Sequence, residues 1–450
     1  MDTIVAIATS PGRSAIGLVR LTGPSSLNIL QDLIHNPLFT PDPKRVFLKE
    51  IRRESGELLD SALVCYFEAP HSFTGENMVE ISCHGSPLIL RQVLDLAQNL
   101  GARLAEPGEF TLRACKNGKM NLTQAEAVRD LINARTNAAA AQALRQLSGE
   151  LSAALQPAKH KLIQIIVRLE SALEFVEDDL PQIETKQIEE ELFEVVKGVG
   201  RLAATFASGR VVRDGINVTI VGTPNVGKSS LFNRLAGSDR TIVTEIAGTT
   251  RDTISESIIL HGVPVSLTDT AGIREAEGKI EELGVERTHR AAADADLLVV
   301  MLDGSRELTA DDLAILAQTK HAKRVVAVNK CDLPIFDDDE NCLKKSSEVV
   351  HVSARTGEGL DQLTTAILEP FSTVDVETVG LLITDSRHYD LLRRSQSSLE
   401  SSIELLNQSA SEELVLVGLH NALRFLGEIT GETTADDILA EIFSTFCIGK

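Results

Sequence analysis

The chain holds no tryptophan, two tyrosines and four methionines among 450 residues. Aromatic platforms on which nucleic-acid bases could stack are therefore scarce. No apolar run approaches ~18 residues, so no segment is expected to span a membrane as a helix. The opening "MDTIVAIATSPG" carries Asp2 and no basic n-region, unlike a secretory signal. Six cysteines (Cys65, Cys83, Cys115, Cys331, Cys342 and Cys447) are scattered without CxxC spacing. That pattern argues against a zinc site or a disulfide frame. It fits reduced thiols, so a cytoplasmic location is expected. Basic residues are outnumbered, 44 Lys and Arg against 65 Asp and Glu, for a net charge of −21. Such a field repels phosphate backbones and acidic lipid alike. Any role on nucleic acid therefore calls for a local basic patch or a basic partner, and no dense basic cluster is present.

What remains is the composition of folded domains. Apolar residues make up 43% of the chain, and the length suggests about three domains. Residues 1–118 mix short apolar runs with turn signals. "TIVAIATSPG", "IGLVRLTGPSS", "ALVCYFEAP" and "MVEISCHGSP" each read as a strand ending in Gly, Pro or Ser, and "LILRQVLDLAQNLG" as a helix stopped by Gly101. This is an α+β pattern. Over 119–210 the strand signals vanish. Thr123 and Glu126 stand at capping-box spacing before an alanine-rich helical stretch. Leu162, Ile165, Ile166, Leu169, Leu173 and Val176 recur every three or four residues, one face of a helix. Residues 211–371 alternate strands and helices, and 372–450 are helical again. The expected architecture is a multidomain α/β and α+β chain. An α/β domain is inserted in a helical domain, and an α+β domain precedes both.

The α/β block carries chemistry. "INVTIVGTPNVGKSSLFNRLAG" is a strand, then Gly222-x-x-x-x-Gly227-Lys228-Ser229, then a helix. Glycines let backbone N–H groups wrap a β-phosphate, and the helix N-terminus adds positive potential. Lys228 reaches the β- and γ-phosphates and acts in catalysis, while the Ser229 hydroxyl ligates Mg²⁺. Asn225, Val226, Gly227 and Ser230 complete this loop. "LTDTAG" follows, with Asp269, Thr270, Ala271 and Gly272 after a strand. "VVAVNKCD" ends a strand in Asn329, Lys330 and Asp332. Asp332 can accept from guanine N1 and its 2-amino group, which adenine does not offer, so GTP is the expected nucleotide. "VHVSARTGEG" brings Ser353, Ala354 and Arg355 to the guanine O6 through their backbone. Between the first two elements lies "IVTEIAGTTRD", where a mobile switch loop belongs. Its Thr244, Glu245, Ile246, Ala247, Gly248, Thr249 and Thr250 are candidate nucleotide contacts, with Thr250 as the second Mg²⁺ hydroxyl. The domain is read as a P-loop GTPase.

Two features depart from common GTPases. Ile273 follows Gly272 where a water-orienting glutamine can stand, and no arginine finger is identifiable. Such a finger contributes roughly 10³–10⁵ in rate. Another charge and another water-orienting group are needed.

The set "GTPNVGKSS", "IVTEIAGTTRD", "DTAGIRE", "NKCD", "SARTGEG" and terminal "CIGK" resembles the MnmE (TrmE) family of bacterial and organellar tRNA modification GTPases. The resemblance extends over the whole chain, through Ser10-Pro11-Gly12-Arg13, "SFTGENMVEISCHG", "PGEFTLRA" and "GKMNLTQAEAV". It implies that K⁺ supplies the missing charge, held by Asn225 and by Thr244, Ile246 and Thr249. A cation between phosphates can replace a guanidinium. It also implies G domains that close face to face, and Glu281 as the acid that positions water through a bridging water, with Glu282 next to it.

The same resemblance makes the first domain a folate-binding-like, dimer-forming domain that takes 5-formyltetrahydrofolate or a related folate. Arg20, Glu80, Lys119 and Lys450 match the family's folate residues. A Glu80 carboxylate suits the amino edge of a pterin, and Arg and Lys suit carboxylates. The implied partners are a second copy, a flavoprotein of the MnmG (GidA) kind that carries FAD, and tRNA. The implied product is a wobble uridine bearing a carboxymethylaminomethyl or aminomethyl group at carbon 5. A regulatory, ribosome-associated or stress-response GTPase is the competing reading. The adjacent Cys83 and His84 have no metal set around them and read as structural.

The tail ends "FSTFCIGK", with Cys447 four from the end, where a prenyl anchor attaches in tethered GTPases. Lys450 is the wrong last residue for that, and the upstream "DDILAEIF" is acidic, so no stable membrane anchor is expected. A helix-like run over 434–446 can instead deliver the tail to a neighbouring domain. The resemblance places that tail near the folate pocket, with Lys450 in contact, so Cys447 becomes a candidate thiol nucleophile or proton donor.

Overall fold

The computed structural model describes residues 2–174, 185–238, 254–269, 295–334, 348–371, 380–408, 410–432, 439, 442–447 and 449. The chain forms two compact units. One holds Met1–Arg129, Gln146–Glu189 and Ser398–Lys450; the other holds Asp130–Arg145 and Glu190–Ser397. These units cut across the helical segments differently from boundaries at 118, 210 and 371. Among the described residues no helix is long and apolar enough to cross a membrane.

The first unit is built on a six-stranded sheet in the order β3-β4-β5-β2-β1-β6. Its strands are β1 (Ile4–Ile7), β2 (Ile16–Thr22), β3 (Val46–Arg52), β4 (Leu58–Phe67), β5 (Met78–His84) and β6 (Arg103–Leu104). Alternation along β2, β4 and β5 sends Val19, Leu21, Ala62, Val64, Val79 and Ile81 to one face. There they pack on Ile29, Leu30 and Leu33 of α1 (Ser26–Leu33) and Leu90, Val93 and Leu94 of α2 (Pro87–Asn99). Cys83 belongs to this core, and burial pushes its thiol up to about 12. His84 pairs with the buried Asp60, Nδ1 to Oδ1 at 2.6 Å. Among the described residues no cluster of metal-ligand type surrounds them.

α3 (Glu109–Lys116) leads to α4 (Leu122–Asn133). The capping box before α4 lies two residues earlier than the Thr123 and Glu126 spacing suggests. Asn121 Oδ1 accepts from the Gln124 N–H at 2.9 Å, and Gln124 Oε1 accepts from the Asn121 N–H at 3.0 Å. Thr123 sits inside the helix and donates to Asn121 Oδ1. The alanine-rich run is two helices. It breaks at residues 134–136, where the Thr136 hydroxyl accepts from the Ala139 N–H and opens α5 (Asn137–Leu147). The apolar stripe runs along α6 (Glu150–Glu174), with Leu162, Ile165, Ile166 and Leu169 buried. Leu173 is 37% exposed, and Val176 lies outside the described residues.

The second unit holds a second six-stranded sheet, ordered β12-β11-β10-β7-β9-β8. Its strands are β7 (Ile216–Gly222), β8 (Ile254–Leu260), β9 (Val263–Asp269), β10 (Leu297–Asp303), β11 (Arg324–Asn329) and β12 (Glu348–His351). Only β8 runs antiparallel to its neighbour. β10 is buried along its whole length, as expected for a parallel strand covered on both faces. The chain enters this sheet through α7 (Thr185–Ala204) and α8 (Phe206–Asp214) and leaves it through 380–385 into α12 (Ser386–Asn407). The leaving segment is clipped along its backbone. Gln142 donates to the Gly380 carbonyl at 3.1 Å and accepts from the Leu382 N–H at 3.1 Å. The Thr205 hydroxyl accepts from the Ile383 N–H. Gly209 allows the close approach, since a Cβ there would lie 2.0 Å from the Ile383 carbonyl oxygen. Arg213 donates to the Thr384 carbonyl and pairs with both Asp385 and Asp130.

Candidate nucleotide and tail sites

β7 is the strand where the chain's direction of travel across the sheet reverses, with β9 on one side and β10 on the other. Ligands of open α/β sheets bind beyond the strand C-termini at that place. Gly222, Asp269, Asp303 and Asn329 are the last residues of β7, β9, β10 and β11. Strand order thus gathers residues that lie more than a hundred positions apart.

The phosphate loop is built for an anion. Asn225 takes φ +63° and Gly227 φ +103°. The second conformation is one that only glycine adopts without strain. A Cβ on Gly227 would also stand 2.3 Å from Asn329 Nδ2. Lys228 opens α9 (Lys228–Ser238), and its Nζ donates to the Gly222 and Thr223 carbonyls, each at 2.8 Å. The ammonium is thereby held within the loop, its charge directed to the phosphate position. Ser229 Oγ donates to Asp269 Oδ2 at 2.8 Å. A hydroxyl and a buried carboxylate converging in this way fit a hard oxygen-liganded cation such as Mg²⁺. Asn225 is exposed.

The base side is equally ordered. Asn329 Nδ2 donates to the Val226 carbonyl at 2.7 Å, and Asn329 Oδ1 accepts from the Ala354 N–H at 2.9 Å. One amide therefore ties the phosphate loop to the loop carrying Ser353. Asp332 Oδ1 accepts from Ser353 Oγ at 2.6 Å, and Oδ2 accepts from Arg355 Nε and Nη2 at 3.1 and 2.5 Å. The Ser353 hydroxyl and the Arg355 guanidinium hold the Asp332 carboxyl below the usual range. It is thus an ionised acceptor, as a guanine edge requires. Arg355, whose backbone is expected at the guanine O6, also pairs with Asp332 through its side chain. Arg234 of α9 reaches the Thr356 carbonyl and buttresses this loop, a contact no local motif signals. Ser230 is exposed on the first turn of α9. Thr244, Glu245, Ile246, Ala247, Gly248, Thr249, Thr250, Thr270, Ala271, Gly272 and Glu281 lie outside the described residues.

In the first unit, Arg20 on β2 stands opposite Glu80 on β5 in the antiparallel register. Its Nε and Nη2 both donate to Glu80 Oε1, at 3.0 and 2.7 Å. Arg20 Nη1 donates to the Gly449 carbonyl at 3.3 Å, and the guanidinium lies 5.9 Å from the centroids of Phe73 and Phe110. Gly449 is buried, and a Cβ on it would lie 2.7 Å from the Ile7 carbonyl oxygen. Just upstream, Phe443 and Phe446 pack on Leu122 and Ala125. Cys447 is exposed, and its carbonyl accepts from the Gly108 N–H at 3.4 Å. Lys119 is exposed and donates to the Pro70 carbonyl at 3.0 Å. The 69–77 loop bonds to both sides of this region, through Thr22 with Thr74 and Asn117 with Thr74. Lys450 lies outside the described residues.

A phosphate loop with its lysine held inside, a hydroxyl beside a strand-end aspartate and an ionised acceptor for a base edge define a P-loop GTPase. A family model described as "GTP-binding protein TrmE N-terminus" matches residues 3–119, and one described as "MnmE helical domain" matches residues 122–447. The chain therefore belongs to the MnmE (TrmE) family. It is 44% identical over 450 residues to the tRNA modification GTPase MnmE of Aquifex aeolicus (strain VF5), covering all of both chains. It is 45% identical over 453 residues to the protein of that name from Koribacter versatilis (strain Ellin345), covering all of this chain and 99% of the relative. Among solved structures, the G domain of the T. maritima FeoB iron transporter is 26% identical, covering 34% of this chain and 97% of that one, with a TM-score of 0.27.

Proposed function

We propose that this chain couples GTP hydrolysis to the modification of carbon 5 of the wobble uridine in tRNA, in the cytoplasm, with a flavin-containing MnmG (GidA) type partner. The observation that carries this beyond a plain GTPase is the tail. Its Gly449 carbonyl meets Arg20, which is itself paired with Glu80. The two ends of the chain thus converge on one polar cluster of the first unit, which a simple nucleotide switch does not need.

The donor set there fits a folate. Arg20 uses Glu80 Oε1 for both of its bonds to that carboxylate, which leaves Oε2 to accept from a pterin amino edge. Lys119 and Lys450 provide cations for a glutamate tail. A bound folate supplies one carbon. Arg20 fixes the Glu80 carboxylate in place, and Cys447 offers an exposed thiol two residues from Gly449. The homodimer is supported by the sheet face that α1 and α2 do not cover. Register aligns Leu48, Leu63, Ser82 and Leu18 across it, and Leu48, Leu63 and Ile16 are exposed. An apolar sheet face of this kind suits an interface. FAD belongs to the partner protein.

In the G domain, Lys228 and the loop amides bind the phosphates. Ser229 and Thr250 hold Mg²⁺, and Glu281 orients water. Asn225, Thr244, Ile246 and Thr249 hold K⁺. Turnover should be faster in K⁺ than in Na⁺ at matched ionic strength, by a factor up to that of an arginine finger, roughly 10³–10⁵. Equal rates would remove K⁺ from the mechanism. For the whole proposal, tRNA nucleosides from cells lacking this chain should show unmodified wobble uridines by mass spectrometry. Unchanged uridines would favour the regulatory GTPase.

A further inference from the structure

The region between the phosphate loop and the base loop holds an ion network that no nucleotide motif contains. Thr223, in the phosphate loop, donates through Oγ1 to Asp312 Oδ1 at 2.8 Å. Asp312 is 1% exposed and lies at the third position of the helix Ala310–Gln318, in a capping box with Thr309. Arg306 Nη1 donates to Asp312 Oδ2 at 3.0 Å, its Nη2 lies 3.4 Å from Thr223 Oγ1, and its Nε lies 3.7 Å from Asp303 Oδ2. That same Asp303 oxygen accepts from Lys330 Nζ at 2.6 Å.

The two ends of this network lie in the phosphate loop, at Thr223, and in the base loop, at Lys330. Thr223 also lends its carbonyl to the Lys228 ammonium, so its hydroxyl bond fixes the peptide that holds the phosphate lysine. Lys330 takes φ +70° and stands two residues before the base acceptor Asp332. Its bond to Asp303 fixes that strained turn. The Arg306 guanidinium borders Thr223, Asp312 and Asp303 together. We infer that Arg306 is a positioning residue for guanine nucleotides, holding the phosphate loop and the base loop in mutual register without touching the ligand.

The two carboxylates that meet Arg306 have other donors. Without Arg306, Asp312 Oδ2 still accepts from the Thr309 N–H and hydroxyl. Asp303 still accepts from Ser305 and Lys330. The loss should therefore fall on binding. Interactions made equally with substrate and transition state change KM and leave kcat alone.

The test uses the full chain, with steady-state GTP hydrolysis, binding of a fluorescent GDP and thermal melts. For Arg306→Ala, KM for GTP and Kd for GDP should each rise about 5- to 20-fold, around the lower end of the scale of one charge-assisted hydrogen bond, because Arg306 acts on the ligand indirectly. The change in kcat should stay within about twofold, and Arg306→Lys should restore part of the loss. Thr223→Val should raise the same two constants, and its effect should shrink in the Arg306→Ala background. Unchanged KM and Kd in a natively melting Arg306→Ala chain would overturn the inference. So would a fall in kcat alone, or full additivity of the two substitutions. If Arg306→Ala melts early, Thr223→Val and Arg306→Lys decide: native affinity in both overturns the inference, and raised KM and Kd in Thr223→Val support it.

Discussion

Asp332→Asn should cost this chain its guanine nucleotides and open it to xanthine nucleotides. The Asp332 carboxylate is held ionised by Ser353 Oγ on one oxygen and Arg355 on the other. Guanine presents two donors to such an acceptor, N1–H and the 2-amino group. Each hydrogen bond to a charged group is worth about 1.5–3 kcal/mol. An asparagine keeps one acceptor oxygen and places an amide donor against the 2-amino group, so two donors face each other. Kd for GDP should rise by roughly 10²–10⁴-fold. Xanthine carries a carbonyl at carbon 2 in place of the amine, and the new amide can donate to it. XDP should therefore bind the variant far better than it binds the parent. Ser353 Oγ can still donate to the remaining oxygen, so the loop keeps one of its ties. Competition titrations of GDP and XDP against a fluorescent nucleotide measure both changes. A variant that keeps GDP affinity within about threefold would show that base choice is made elsewhere.

That base choice was legible before any coordinates because its chemistry leaves little freedom. A phosphate cradle needs glycines and a lysine at fixed spacing, and a guanine edge needs a carboxylate after a strand. Parallel strands then deliver these residues to one end of the sheet. Contacts between elements distant in sequence were not legible. Arg213 meets Asp130 and Asp385, and Thr223 meets Asp312, yet nothing local marks those partners among 44 basic and 65 acidic residues. The break between α4 and α5 was hidden for a related reason. Residues 122–147 contain neither Gly nor Pro, and the helix ends where the Thr136 side chain captures a backbone N–H. The Asn121 and Gln124 cap was masked by a second capping-type pair, Thr123 and Glu126, two residues on, and the register is decided by which side chain reaches the N–H groups. Convergence of the tail on Arg20 was anticipated from the family resemblance alone. Periodicity says nothing about where an eight-residue terminus docks.

Arg213→Ala should lower the stability of the second unit by roughly 3–5 kcal/mol. Arg213 Nη1 pairs with Asp385 at 2.9 Å and Nη2 with Asp130 at 3.1 Å; Asp385 is buried and Asp130 half-buried. Removing the cation takes from both carboxylates the counter-charge they share, and the desolvation then left uncompensated, more than the loss of attraction, sets the size of the effect. For a unit of this size the melting temperature should fall by roughly 6–20 °C. The sign of the pH dependence follows from Asp385. Burial alone raises its carboxyl, but His388, Arg213 and the Arg387 backbone N–H outweigh burial and bring it down to about 2. A folded-state carboxyl below its unfolded value contributes stability above the unfolded value, about 2 kcal/mol here, and that contribution is lost as pH falls from about 4 to about 2. In Arg213→Ala the Asp385 carboxyl rises, so the gap between parent and variant should be widest near neutral pH and narrow over that same acid range. Differential scanning calorimetry at pH 7 and pH 3 measures both. A gap that is constant with pH would show that Arg213 acts through packing of its alkyl chain and not through its charge. A melting temperature unchanged at pH 7 would show that Gln142 and Thr205 alone hold the 380–385 segment in place.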